Sequence, residues 1–471
     1  MGTSRRRVLP QRTQRFTEIK TTAKQSLTVP PAKKKRLKLA TKFDDLLIRA
    51  SEIDSDRMRR LRTEHSMAEY LKSNSKFAEA VRKIVSDIAQ NGDAAVAKYT
   101  EKFDAVQLTA NEFRVSTEDL KTAHESLDAV LLKSLRTSIA NVRKYQSEIF
   151  IGNKTTHPGI RYTPLNRVAC CIPGASAPLP STVIMTAVPA QVAGVKEIVV
   201  LSPPRYEGSI HPVILGLCYE LGITEVYRLG GAQAVAALAW GTETIAKVDK
   251  IVGPGHDVVQ LAKKECFGLV DMDSFAGPSD VLIVANDRAN PAWVAADMLS
   301  QAEHDPGAGI VVTDSADFAK KVLAELETQC AKLDRAEATE KCLLAYSGIV
   351  VCETMDAVID WANDFAAEHL QVQCGEQSKA ISKKLINAGA IFIGPYTPVA
   401  VGDYYAGPSH TLPTRQTSKY FSAVTSNDFV KSTSIIEYTQ QQLADAADDI
   451  VRLALTEGLD AHAKSVQKRV E

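Results

Sequence analysis

The sequence lacks any apolar run of about 18 or more residues, which argues against a membrane-spanning helix. Its eight cysteines, Cys170, Cys171, Cys218, Cys266, Cys330, Cys342, Cys352 and Cys374, include no CxxC pair. The basic beginning of the chain lacks the apolar core of a secretory signal. Reduced thiols and a cytoplasmic setting are therefore expected, with organelle import by the basic tail left open. No G-x-G-x-x-G is complete, because Gly253-Pro254-Gly255 has no third glycine in place. The standard dinucleotide fingerprint is thus missing. Net charge is missing too: 56 Lys+Arg meet 56 Asp+Glu.

That zero hides two populations. Residues 1–42 carry 13 Lys/Arg and a single acid, Glu18, leaving 43 basic and 55 acidic residues downstream, a net of −12. A body with that balance is no nucleic-acid surface, and no nucleic-acid or membrane partner is expected. Residues 1–45 read as a disordered basic tail. The 471 residues, 45% apolar and 24% charged, are ordinary for a soluble globular protein of two or three units.

Periodicity divides the rest. From Leu46 to Tyr145 apolar residues recur at three- and four-residue intervals, a helical pattern broken at Asn91-Gly92. From Arg167 short β-branched runs appear (VACCIPG, EIVVLSPP, TEVYRLGG, DKIVGPG), with helical segments between them. A second series follows: DVLIVAND, AGIVVTD, SGIVVCE and GAIFIGPY. Two α/β units with parallel sheets are the economical reading. After His410 the pattern returns to helix, with Gly458 as a stop between two helices. The expected units are 46–166 with 275–412 as a first α/β domain carrying the N-terminal helices, 167–274 as a second, and 413–471 as a small helical domain.

Parallel sheets hold ligands beyond the carboxyl ends of their strands, here CIPGASAPLPS, LGGAQA, GPGH and AGPSD. Five of the nine histidines, His256, His304, His369, His410 and His462, lie in the second half. Gln301 and His304 share a face at i, i+3; such a pair suits a metal but needs two further ligands. Glu368-His369 supplies two adjacent proton-transfer groups, which reach one site only at an irregular junction. Asp403 and His410 stand in the Gly/Pro-punctuated VGDYYAGPSHTLPT, where Asp403 offers a hard anionic ligand. Glu457 and His462 flank Gly458. A thiohemiacetal mechanism would need an activated thiol; the nearest candidates, Cys374 and Cys171, have no base beside them and read as structural.

Taken together, CIPGASAPLPSTV, GGAQAVAALAWGTE, VDKIVGPG, AGPSD, LSQAEH, AAEHL, AGAIFIGPYTP, GDYYAGPSHTLPT and EGLDAHAKSV, in this order, closely resemble the histidinol dehydrogenase family. The likeness spans Leu46 to Val470. It implies two incomplete Rossmann-like domains with smaller helical parts, in a homodimer with shared active sites. The implied activity is zinc-dependent, NAD-linked, four-electron oxidation of L-histidinol to L-histidine through the aldehyde. It further implies that Gln301, His304, Asp403 and His462 hold one zinc per subunit, with Glu457 and His462 acting across the dimer. Ser279, His410 and Glu457 would join the zinc ligands and the Glu368-His369 pair in holding the substrate, and that pair would be catalytic. Gln233 matches a family contact to NAD. Cys171 and His256 occupy the two other cofactor positions, where the family carries Tyr and Asn, which bears on cofactor affinity and preference. Two alternatives remain: a paralogue oxidising another small alcohol such as a sulfonated diol, and a non-catalytic nucleotide-binding protein on the same scaffold.

Overall fold

Segments such as Val281–Ala285 and Gly309–Val312 are apolar along their length, which suits strands buried on both faces. In the computed structural model they are buried central strands. The structure describes residues 42–471 except 53–54, 62–65, 155–156, 175–176 and 305. The strands begin with β1 (Leu47–Arg49), β2 (Ile160–Pro164), β3 (Arg167–Cys171), β4 (Glu197–Leu201) and β5 (Glu225–Tyr227). They continue with β6 (Lys250–Val252), β7 (Asp271–Met272), β8 (Ser279–Ala285) and β9 (Gly307–Thr313). The last four are β10 (Gly348–Val351), β11 (His369–Gln373), β12 (Ala390–Ile393) and β13 (Val430–Ser434).

Two sheets are wholly parallel. The first runs β1-β10-β9-β8-β11-β12 and the second β5-β4-β3-β6-β7. Counted from β8 in the first sheet and from β3 in the second, five strands follow the 3-2-1-4-5 order of a doubly wound nucleotide-binding sheet without its sixth strand, and β1 adds an edge strand to the first beside β10. The α/β reading with two incomplete Rossmann-like sheets therefore holds. Residues 273–278 alone connect the end of β7 to the start of β8. So short a crossover, spanning at most about 20 Å, sets the carboxyl edge of the second sheet against the amino edge of the first.

The three longest helices before residue 150 cover the second sheet, not the first with which they were expected to form a domain, whereas Met58 of the short helix Asp56–Arg59 packs on the first. The helix Ser75–Asp104 packs on Gly231–Trp240 and Asp257–Cys266, Thr117–Glu125 on Pro212–Glu220, and Ala129–Ile149 on Pro180–Ala193. Gly92 breaks the first of these as expected, at φ +48°, with the Glu243 carboxylate accepting from the Asp93 amide at 2.8 Å.

Three local expectations fail. Leu47–Arg49 is an edge strand, because pairing to β10 overrides its helical spacing. Val430–Ser434, read as helix, pairs antiparallel with Ile160–Pro164. Phe43, assigned to the tail, is fully buried in the first sheet's core beside Leu46 and Val281; the rest of the tail expectation, residues 1–41, lies outside the described residues. The C-terminal reading holds: Gln440–Thr456 and Asp460–Val470 are helices on either side of Gly458. No helix among the described residues is long and apolar enough to cross a membrane.

All eight cysteines are buried, and burial pushes the Cys171 and Cys374 thiols up to about 12. A disulfide-exchange reagent should accordingly label none of them within minutes in the native protein and all eight in denaturant. Rapid native labelling of either Cys171 or Cys374 would contradict this packing.

Candidate active site

Glu368 ends the turn before β11 and His369 begins that strand, so the two side chains leave an irregular junction. The neighbouring strand β8 opens with Ser279 and Asp280. Because register sets His369 against Val281, Glu368 falls opposite Asp280. The two exchange bonds: the Asp280 amide donates to Glu368 Oε2 at 3.0 Å, and the Glu368 amide donates to Asp280 Oδ1 at 2.8 Å. The Ser279 hydroxyl donates to the same Glu368 Oε2 at 2.5 Å and accepts from the Gln301 side-chain amide. His369 Nδ1 lies 3.0 Å from the Asp280 carbonyl oxygen. A carbonyl can only accept, so Nδ1 carries a proton. His369 Nε2 is left buried without a hydrogen-bond partner, 3.5 Å from Asp403 Oδ1.

Gln301 is buried at the end of the helix Pro291–Ala302, and His304 stands one turn on, at the surface. Asp403 comes from the short helix Val399–Tyr404. His410 Nε2 lies 3.1 Å from Ser181 Oγ. Asp403 is the electrostatic centre: burial opposes its ionisation, but His369, His410 and His304 outweigh that and hold its pKa below the usual range. His410 is pushed down, chiefly by burial, and His304, though part of it reaches the surface, is pushed down chiefly by the desolvation of its packed side, both toward the neutral imidazole that can ligate or accept. Burial opposes a charge on His369 too, yet Glu368 and Asp403 carry its pKa up to about 9. Burial lifts the Glu368 carboxyl to about 7 and that of Asp280 to about 6.

The structure thus brings together Ser279, Gln301, His304, Glu368, His369, Asp403 and His410. It places them at the amino ends of the first sheet's strands, although the carboxyl ends are the usual ligand edge. Glu457 and His462 are exposed on the C-terminal helical pair, and no hydrogen bond or ion pair among the described residues joins them to this cluster. Likewise, no three His, Cys, Asp or Glu side chains among the described residues form a metal-holding group. One chain offers the amide oxygen of Gln301, the neutral imidazole of His304 and the carboxylate of Asp403. Donors of these types fit zinc, one short of a tetrahedron. Asp280 is the residue that sequence reasoning missed. Its place in AGPSD, directly after Ser279, was the available signal.

The second sheet's carboxyl edge carries the expected nucleotide turns, with mixed results. Gly230 gives the helix Gly231–Trp240 no side-chain cap, which leaves amides free at its N-terminus, and Gln233 Oε1 in the first turn is buried and unpartnered. That edge fits an anionic dinucleotide. His256 is exposed at the start of the helix Asp257–Cys266, also without a side-chain cap. Cys171 departs from expectation: it is 4% exposed and packed in the core, so its side chain makes no cofactor contact. In the Gly253-Pro254-Gly255 turn two amides are already taken, Gly253 by Asp273 Oδ2 at 2.7 Å and Gly255 by the Ala276 carbonyl at 3.4 Å.

Two parallel sheets meeting edge to edge, one with nucleotide turns and the other with a buried carboxylate–imidazole pair, define a two-domain α/β protein with a dehydrogenase-like site. Comparison with known proteins narrows this class. The model of the histidinol dehydrogenase family matches residues 68–470. The chain is 44% identical over 399 residues to histidinol dehydrogenase of Rhodopirellula baltica, covering 83% of this chain and 86% of that protein. Its identity to the Bacillus subtilis histidinol dehydrogenase is also 44%, over 83% of this chain and 92% of the other. The crystal structure of histidinol dehydrogenase from Elizabethkingia anophelis superposes with a TM-score of 0.77 at 33% identity, covering 83% and 92% of the two chains. The chain belongs to the histidinol dehydrogenase family.

The position of Gln301 and His304 depends on a close approach at Gly307, the first residue of β9. A Cβ there would lie 1.9 Å from the Gln301 carbonyl oxygen and 3.2 Å from His304 Cβ. Gly307→Ala should therefore force the helix end off the strand and cost on the order of 3 kcal/mol in urea unfolding. Unchanged stability would mean that the two backbones are not in contact.

Proposed function

We propose that this protein catalyses the zinc-dependent, NAD-linked, four-electron oxidation of L-histidinol to L-histidine through L-histidinal, as a homodimer with shared active sites. Family membership supports the overall reaction. The observation that carries the chemistry is the Ser279–Glu368–His369–Asp403 arrangement around the buried Glu368–His369 pair, with His369 Nε2 making no hydrogen bond and lying 3.5 Å from Asp403 Oδ1.

Gln301, His304 and Asp403 would hold zinc, with His462 of a second copy as the fourth ligand; when bound, the metal orients the imidazole and amine of the substrate. NAD, when bound along the second sheet's carboxyl edge near Gln233 and His256, supplies the hydride acceptor. The protein's own groups handle protons. His369 Nε2 takes the alcohol proton as the carbon loses hydride, giving the aldehyde. Glu368 then removes a proton from water, whose oxygen adds to the aldehyde carbon while His369 returns its proton to the carbonyl oxygen, giving the hydrate and restoring the imidazole as a base. His369 takes the hydrate's hydroxyl proton in the second oxidation, which leaves the carboxylate. The Asp280 carbonyl fixes the His369 ring, so Nε2 faces the reacting oxygen. With Asp403 neutralised by a bound cation, His369 loses one of the two carboxylates that hold its proton and becomes a base nearer neutral pH. Ser279 and His410 complete the substrate contacts. No thiol takes part.

The C-terminal helices support the shared site. Among them only Ala447 and Ala463 are buried, while Leu453, Leu455 and Leu459 are exposed. Apolar surface of this kind, bracketing Glu457 and His462, suits docking on a second copy.

Steady-state assay with zinc, L-histidinol and NAD should give two NADH for each histidine; no turnover under these conditions removes the proposal. Glu368 acts only as the carboxylate, and its pKa is raised to about 7. Oxidation of the aldehyde should therefore fall as pH drops below about 7. Glu368→Gln should abolish that acid limb and slow aldehyde oxidation by about 10²–10⁴-fold, sparing the alcohol step more. An unaltered pH profile would assign the water-activating role elsewhere.

A further inference from the structure

Two residues outside the proposed machinery carry backbone strain. Arg415 and Gln416 adopt φ of +57° and +65°, a left-handed region costly for side chains other than glycine and a common mark of functional positions. The Arg415 side chain, 10% exposed, explains what the strain secures. Its guanidinium lies 3.7 Å above the Tyr70 ring, donates from Nη2 to Asp257 Oδ1 at 3.0 Å, and donates from Nε to the Gly277 carbonyl at 3.2 Å. Tyr70 in turn donates its hydroxyl to the Asp257 carbonyl at 3.3 Å. Thr414 adds bonds on the same segment: its hydroxyl meets the Phe275 and Gly277 carbonyls at 2.9 and 3.2 Å and accepts from the Gly277 amide at 3.0 Å.

These contacts join the two halves of the cleft. Asp257 opens the helix that follows the His256 turn on the second sheet. Gly277 lies two residues before Ser279, whose hydroxyl holds Glu368. The guanidinium also lies within electrostatic reach of Asp280, the partner of Glu368. A planar fork stacked on an aromatic ring fixes direction as well as charge.

We propose that Arg415 is a positioning residue that locks the N-terminus of the Asp257–Cys266 helix to the Gly277–Ser279 turn, so that bound dinucleotide and the Glu368–His369 pair keep one separation. This rests on the function proposed above. Hydride transfer depends steeply on that separation, whereas binding of the alcohol to its own half does not.

The test compares Arg415→Gly, Arg415→Lys and Asp257→Asn in the zinc-loaded, full-length protein. Glycine suits the left-handed backbone, so relief there offsets part of the lost contacts and Arg415→Gly should fold with a Tm lowered by only a few degrees. Its kcat per active site should fall, and its KM for NAD rise, by about tenfold or more, while KM for histidinol stays within about threefold. Arg415→Lys keeps the charge without the fork and should fall between. Asp257→Asn added to Arg415→Gly should cost little more than Arg415→Gly alone. Hydrogen–deuterium exchange supplies a readout independent of turnover: residues 256–260 and 277–280 should exchange faster in Arg415→Gly while the rest does not. Loss of Tm with unchanged kcat per site and unchanged KM for NAD overturns the proposal, as does unaltered exchange in both segments. Parent protein that turns over no histidinol removes the proposed function instead, and the exchange comparison still decides whether Arg415 joins the two segments.

Discussion

Two carboxyl groups facing each other in the dry interior are the constraint on which the site depends. Asp280 and Glu368 begin adjacent strands, and each accepts the other's backbone amide. Neither could sit there ionised without such donors, and even with them burial keeps both pKa values raised. The same exchange fixes the strand ends and therefore every group built on them. Ser279 is oriented by Glu368, Gln301 by Ser279, and the His369 ring by the Asp280 carbonyl. The proposed catalytic duty of Glu368 and its structural one are inseparable, since Glu368 belongs to the strand junction through its bonds with Asp280.

The second governing feature is the short link from β7 to β8. It turns two sheets that share a 3-2-1-4-5 core order end to end, so the carboxyl edge of one confronts an unusual amino-edge cluster on the other. Ligand sites in α/β proteins lie beyond the carboxyl ends of strands, and the proposed dinucleotide edge of the second sheet would obey this. The first sheet is the exception because its amino edge is what the crossover brings to the cleft. Thr414 and Arg415 reinforce that junction by bonding to the crossover itself. Incompleteness of the proposed metal set within one chain would have a related logic. Asp403 lies within electrostatic reach of His304, whereas the segment bearing His462 packs mainly on its own hairpin. A site finished by a second copy would exist only in the assembled protein, linking activity to association.

Much of this could be read from residue order. Continuous apolar runs bounded by Gly and Pro announced both sheets, because strands covered on both faces have no polar side to disguise them. The Gly92 break, the Gly458 stop and the inert cysteines were legible for equally local reasons. LSQAEH and AAEHL marked the chemical groups through residue type and spacing. Illegible were Leu47–Arg49 and Val430–Ser434, short strands whose conformation is set by a partner far along the chain. Also hidden was the occupation of the Gly253 and Gly255 amides, since hydrogen-bond partners do not announce themselves in a motif.

The division follows from the range of the forces involved. Periodicity, turn chemistry and the inventory of acids, imidazoles and amides are properties of contiguous stretches, so the sequence alone determined the α/β class and which side chains were available for reaction. Only tertiary structure decided that the site lies at an amino edge, that Asp280 braces Glu368 and His369, and that Arg415 spans the cleft. Each of those outcomes depends on strands and turns separated by tens to hundreds of residues meeting in the interior, where desolvation makes a missing hydrogen-bond partner costly.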